Sequence, residues 1–579
     1  MATSTPTELS FDTFPPLFPR RFLPESPDLT DRDQLVALYQ SLLDRPIDSE
    51  EDLENFLLDC SELYKASFQA EAILHIRTRS QTDDESRAEA FKRFTKDVIP
   101  AVLPLQNEID RKTLTVLERF PATDNRYAVY ERRAKTDVEI FRTENVDLAK
   151  QDDLIGQDYF ALCGKMTFEH DGEEYPLPEA TKFIKDPDRS LREKIWRAVA
   201  ERHLRDREAF EEIFDQLVKL RHTIAKNADF PDYLAYTFEA KHRYDYTPAD
   251  CEAFHDAVES CIVPAANEIY ERRRDALGLD TLRPWDLSVD PLGREALKPA
   301  DSVPELIAGC RRAFDALDPE LGAVFASMDD DGLLDLASRK GKAPGGFMCP
   351  LEDSGKIFIF GNASCIDNDL HLILHEAGHA FHTHATRDKN RFEYPWYPAE
   401  FAEVASMAME ELANPHLSIF YSEDDWKRSR RDHLEEQIVL FGWIATIDAF
   451  QHWLYTHPEH TPDERRDAWI ETHNRFRSPL VDWTGLDQEQ AYQWHKQLHL
   501  FGNPFYYIEY GIAQLGALQL WNNAKQDPPK ALAHYKQALA LGGSKPLPKL
   551  FEAAGITFDF SRKTLAPLIE SIQEELASL

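Results

Sequence analysis

Apolar residues recur at three- and four-residue spacing along most of this chain. DRDQLVALYQSLLD from Asp31, EDLENFLLDCSELYKASFQAEAILHIR from Glu51 and SLREKIWRAVAERHLRDREAFEEIFDQLVKLRHTIA from Ser190 each carry one apolar stripe and one charged face. That period predicts amphipathic helices. Proline and glycine punctuate them at PPLFP, RPWDLSVDPLGREALKP, THPEHTPDE and QDPPK. Only two stretches read as strand. MTFEHDGEEYPL, from Met166, fits a hairpin turning at Asp171-Gly172. KIFIF, Lys356 to Phe360, is apolar and β-prone and stops at Gly361-Asn362. It reads either as an internal strand of a small sheet or as a strand whose backbone pairs with an extended peptide. The pattern predicts a mainly α fold with little β.

Composition sharpens this. With 42% hydrophobic and 29% charged residues over 579 positions, the chain is globular and long enough for two lobes or one large body. The net charge of −37 argues against nucleic acid and anionic membrane as partners. No run of apolar residues is long enough for a membrane span, and the N-terminus lacks a basic then apolar leader. The seven cysteines are scattered and form no CxxC, which fits reduced thiols in a cytoplasm. Cys365, ten residues before His375, reads as a buried thiol. Organisation along the chain divides into an N-terminal helical region, 1–165, and a larger region, 166–579, that holds the chemistry.

That chemistry centres on HLILHEAGHAFHTH, His371 to His384. Inside it, His375-Glu376-Ala377-Gly378-His379 is an HExxH. On a helix, residues four apart share a face, so two imidazoles can hold one zinc ion while the adjacent Glu reaches water. Asp367, Asn368 and Asp369 supply N-cap candidates, and Leu370, Ile373, Leu374, Ala377 and Phe381 an apolar stripe. The longer pattern HExxHxxGxxH is absent, because His382 and Ala385 occupy its last two fixed positions. A third ligand is therefore sought on PAEFAEVASMAMEELA, from Pro398, whose small residues permit close helix packing. Glu400, Glu403, Glu410 and Glu411 are the candidates there. Glu403 lies 403 − 375 = 28 residues after His375, and Glu410 two turns further on the same face. Solvated carboxylates on a helix face are the alternative, and the reading for Glu400 and Glu411.

HEAGHAFH followed by AEFAEVASMAMEE resembles the zinc oligopeptidases of the oligoendopeptidase F and thimet oligopeptidase family. The resemblance continues through GKAPGGFMCP from Gly341, HLFGNPFYYIEYGIAQLGA from His499 and ALALGGSKPLPKLFEAAGI near the end. Upstream segments are similar to the oligoendopeptidase F branch. Ala405-Ser406 replaces the proline-serine pair that often follows the ligand Glu in thimet-type members.

The resemblance implies a helical zincin-type peptidase, with two lobes around a deep substrate channel and a small β-sheet near the active-site helix. Zinc chemistry would lie in 340–420 and a substrate and oxyanion segment in 495–515. His375, His379 and Glu403 would hold one Zn²⁺ per chain, supported by Glu410 and His382, with Glu376 as general base. His499, Tyr506 and Tyr510 would stabilise the oxyanion, the two tyrosines sharing a face if a helix starts at Pro504. Gly345, Gly346, Phe360, Gly361 and Tyr507 would contact substrate. His371 reads as a supporting or packing residue and His384 as solvated or near the helix end. The implied activity is endopeptidase cleavage of short cytoplasmic peptides, by a monomer or homo-oligomer. A zinc carboxypeptidase or dipeptidyl carboxypeptidase is the alternative within this class, and a catalytically idle peptide-binding protein the alternative outside it.

Overall fold

The computed structural model describes residue 11 and residues 14–121, 126–389 and 396–579. Helix dominates, as the three- and four-residue spacing predicts. The stretch from Glu51 forms one helix, Glu50–Ser80, capped by the Ser49 hydroxyl. The stretch from Ser190 divides into Arg189–Arg205 and Arg207–Asn227. Among the described residues no helix is long and apolar enough to cross a membrane.

The chain divides into two compact units. The first comprises Met1–Phe141, Leu297–Ser429 and Gly516–Phe558; the second comprises Arg142–Ala296, Arg430–Leu515 and Asp559–Leu579. The region 166–579 is thus shared between them.

The first unit holds a three-stranded sheet of β3 (Leu334–Ala337), β4 (Phe347–Leu351) and β5 (Lys356–Ala363), in the order β3-β5-β4. β5 pairs parallel with β3 and antiparallel with β4. Phe358 and Phe360 of β5 pack with Leu333, Leu351 and, from the long helix Glu50–Ser80, Ala72 and Ile76. Each fully buried phenylalanine there contributes on the order of 1.5–3 kcal/mol. β5 leads directly into the histidine helix, Asp367–Thr386. The helix begins one residue after Ile366, and Asp369 caps it from within: its Oδ2 accepts from the amides of Ser364 (2.7 Å) and Ile366 (3.0 Å).

The second unit holds the predicted hairpin. β1 (Thr167–His170) and β2 (Glu173–Pro176) are antiparallel, joined by Asp171 and Gly172 at φ 52° and 84°. Both turn residues are left-handed, as a two-residue hairpin turn requires.

Candidate metal centre and its supporting residues

Two helices of the first unit build the centre. The histidine helix buries Leu370, Ile373, Leu374, Ala377, Ala380 and Phe381, which leaves His375 and His379 on another face. The facing helix, Ala399–Ala413, starts at Pro398 and is rich in buried alanine. The two pack closely because Gly378 has no side chain. A Cβ there would sit 2.5 Å from the Ala405 carbonyl oxygen and 2.6 Å from the Ser406 Cα. Gly378 thus sets how near Glu403 comes to the histidine pair.

His375 Nε2 lies 3.4 Å and His379 Nε2 3.6 Å from Glu403 Oε2. Donors about 2.1 Å from a tetrahedral zinc stand roughly 3.4 Å apart. Both imidazole–carboxylate separations have that spacing, the three donors lie within 4.8 Å of one another, and their chemistry is right, so these residues fit zinc. Glu410 accepts from His375 Nδ1 at 2.8 Å, which turns Nε2 toward Glu403. The Ser406 hydroxyl donates to Glu403 Oε2 at 3.1 Å and steadies that carboxylate.

Charge follows geometry. Burial works against a charged His375 ring, but hydrogen bonds to Glu403 and Glu410 outweigh it and hold its pKa well above the ordinary value. His379 is pushed down to about 4, chiefly by burial. Burial raises the Glu376 carboxyl to about 7. Glu376 is buried next to β4, whose Met348 backbone pulls its pKa the other way.

The remaining histidines separate. His371 approaches Ser429 Oγ at 3.3 Å, Asp367 at 3.8 Å and Glu410 at 4.0 Å, a supporting position. His382, read as a structural or supporting residue, sits in a packing position. Its ring is fully buried, stacked on Tyr397 (3.7 Å, 18°) and edge-on to Phe401. Seven residues carry it about 10 Å along the helix from His375, too far to touch the same ligands. His384 lies in the last turn of its helix, near the end as one of its two readings has it, and is half-buried; burial lowers its pKa to about 4. Glu400 and Glu411 are buried as well, which overturns their reading as solvated.

The substrate-contact residues also need correction. Phe360 is fully buried and its backbone pairs with Asp335 on one side and Phe347 on the other. β5 is therefore internal, and β4 is the edge strand of the sheet on that side. Gly361 follows Phe360 in β5, where the β3 pairing shifts register. Gly346 is small for an internal reason: a Cβ would meet the Leu372 side chain at 2.8 Å. Gly345 has φ +94° with open space around it, and its carbonyl accepts from Asn362 Nδ2 at 2.9 Å. Asn362, which also donates to the Ala343 carbonyl at 2.7 Å, pins this glycine loop.

In the second unit, His499, Tyr506, Tyr507 and Tyr510 form one ring cluster. Ring centroids lie 4.8 to 6.2 Å from His499 and 5.2 Å between Tyr506 and Tyr510. The helix starts at Tyr507, not Pro504. Phe505 intervenes at φ 62°, and its amide donates to Gln451. Hydrogen bonds decide the His499 tautomer. Trp443 Nε1 donates to Gln497 Oε1 (2.9 Å), which orients the amide, and Gln497 Nε2 donates to His499 Nδ1 (2.7 Å). Nδ1 is the acceptor, so Nε2 carries the hydrogen. Two buried arginines clamp this segment through its carbonyls. Arg221 donates to the oxygens of Leu500 and Phe501, and Arg243 to that of Phe505 while pairing with Glu509 at 2.7 Å. Arg221, Arg243 and Trp443 all stand far from this segment in sequence.

The sequence signature of peptidase family M3 matches residues 182–568. The chain belongs to that family. The match bears out the resemblance read from HEAGHAFH and AEFAEVASMAMEE. An oligoendopeptidase F homolog of Borreliella burgdorferi is 22% identical over 395 residues, 65% of this chain. The match spans 64% of that relative's length, just under two thirds. Oligopeptidase PepF of Bacillus subtilis is 24% identical over 245 residues, 41% of this chain and 36% of its own. Among solved structures, PZ peptidase A with an inhibitor is 27% identical and superposes with a TM-score of 0.89, covering 97% of this chain and 99% of that one. The helical M3 fold with its small sheet is therefore shared.

Proposed function

We propose that this M3 family member is a zinc-dependent metalloendopeptidase that hydrolyses internal bonds of short oligopeptides in the cytoplasm. The observation that carries this reading is the His375, His379 and Glu403 donor set, with both histidine nitrogens 3.4–3.6 Å from the Glu403 carboxylate and Glu376 buried beside it. When bound, zinc supplies Lewis-acid polarisation and acidifies water. Glu376, with a pKa near neutrality, takes a proton from the attacking water and returns it to the leaving amine at little cost in either direction. Glu410 keeps His375 oriented, and Ser406 does the same for Glu403.

His499 Nε2–H and the hydroxyls of Tyr506 and Tyr510 are assigned as donors to the oxyanion, with Tyr507 as substrate contact. The resemblance and the tautomer that Gln497 imposes support this assignment. The edge strand β4 offers backbone groups for an extended peptide. The seven unbridged cysteines fit a reducing compartment.

An internally quenched peptide blocked at both ends tests the endopeptidase assignment. The protein cleaves it within the chain. Cleavage of the unblocked peptide alone would replace this reading with an exopeptidase.

A further inference from the structure

A second cluster of metal-ligating side chains lies in the second unit, on residues that the peptidase reaction does not use. Helix Pro248–Ala257 presents Cys251 and His255 one turn apart. Helix Glu423–Thr456 presents Asp448 and His452 one turn apart. All four side chains are buried. Cys251 Sγ, an Asp448 oxygen and an His452 nitrogen lie within 4.8 Å of one another. His255 Nε2 donates to Asp448 Oδ2 at 2.9 Å.

Two observations set this cluster apart from ordinary core. Asp448 Oδ1 and His452 Nε2 are buried polar atoms with no hydrogen-bond partner among the described residues, although the ring nitrogen stands 3.4 Å from the other Asp448 oxygen, Oδ2. Native interiors rarely leave such atoms unsatisfied, so something absent from the chain itself is called for. The donor types then narrow what it is. Sulfur and imidazole nitrogen disfavour magnesium and calcium and favour zinc. A thiolate and a carboxylate together neutralise a dication, which a fully buried site requires. The nearby cation Arg243 pairs with Glu509 at 2.7 Å, a carboxylate it shares with Lys241 at 3.7 Å.

We propose that Cys251, Asp448 and His452 bind a second zinc ion, which fastens helix Pro248–Ala257 to helix Glu423–Thr456. Donors around a tetrahedral zinc stand about 3.3–3.8 Å apart, so the three need to close by roughly 1 Å at most. His255 does not ligate; it holds the Asp448 carboxylate from outside, as a partner of a metal ligand commonly does. Burial gives this ion a structural role and leaves substrate no access. Binding converts the Cys251 thiol to thiolate, with the proton released to solvent.

The test uses the full chain with His375→Ala and His379→Ala, so that the HExxH pair carries no metal. This protein is loaded with cobalt(II) under reducing conditions, dialysed and analysed for metal per chain and for near-ultraviolet absorption. One cobalt per chain with a thiolate-to-cobalt charge-transfer band is expected. Adding Cys251→Ser removes the band, and His452→Ala weakens retention at least tenfold. Chelation lowers the melting temperature of the parent protein but not of the Cys251→Ser protein. Absence of both metal and band in the Cys251-intact protein overturns the proposal in favour of a buried water, whether or not the other variants fold. A band that survives Cys251→Ser overturns it as well, because the metal then sits on another thiol. The HExxH reading is unaffected by either result.

Discussion

Gly378→Ala tests how the centre is built. The added methyl group meets two backbone atoms, the Ala405 oxygen at 2.5 Å and the Ser406 Cα at 2.6 Å. Neither can rotate away. Restoring an ordinary 3.4 Å contact moves the helices apart by about 0.9 Å. Overpacking of this kind costs roughly 1–3 kcal/mol of stability. The larger effect falls on metal. Glu403 precedes the contact by two residues, so the same displacement stretches its 3.4 and 3.6 Å separations from His375 and His379 beyond what one tetrahedral ion spans. Losing good geometry at one ligand lowers zinc affinity by an expected 10–100-fold, the range found when supporting groups are removed. Chelator competition reads the affinity, and circular dichroism with a thermal melt reads the fold. A Gly378→Ala protein that stays folded but loses zinc tenfold or more is the expected outcome. Wild-type zinc affinity in this variant would refute the role given to the close helix approach.

Other outcomes follow from the same geometry. Glu410→Gln leaves His375 poorly oriented and weakens zinc about 10–100-fold by chelator competition, with the fold intact. Zinc affinity rises with pH. The metal-free His375 keeps its proton above the ordinary histidine range, zinc must displace it, and affinity falls about tenfold per pH unit below the raised pKa; a flat titration across neutral pH would contradict this. Gln497→Glu places an acceptor opposite His499 Nδ1 and moves the ring hydrogen to that side, away from Nε2. It lowers kcat by about 10–100-fold with zinc content unchanged.

What the sequence made legible is the part governed by helical period. HExxH puts two histidines on one face, and the seven-residue step from Glu403 to Glu410 keeps both carboxylates on another. Once these two helices face each other, each carboxylate reaches the histidines through its own oxygen. The Asp171-Gly172 hairpin was equally readable, because its turn demands left-handed residues. Positions whose meaning depends on a distant partner were not. Gly378 reads as an unremarked spacer until Ala405 stands against it, and Gly346 as a substrate loop until Leu372 does. KIFIF leaves internal and peptide-pairing strands open, since β3 and β4 lack a strong alternating pattern of their own. Glu400 and Glu411 carry no sequence mark of burial. The division into two units escapes a linear reading because two of its five boundaries fall within continuous helices, Glu423–Thr456 and Tyr507–Gln526.

Glu376→Gln is the most direct measurement. The amide keeps the shape of the buried side chain but cannot take a proton from water. Zinc content by elemental analysis and cleavage of a doubly blocked quenched peptide are read side by side. The predicted result is zinc retained at the wild-type level with cleavage reduced by at least about 10²-fold. Cleavage at the wild-type rate with zinc in place would contradict the assignment of Glu376 as the base.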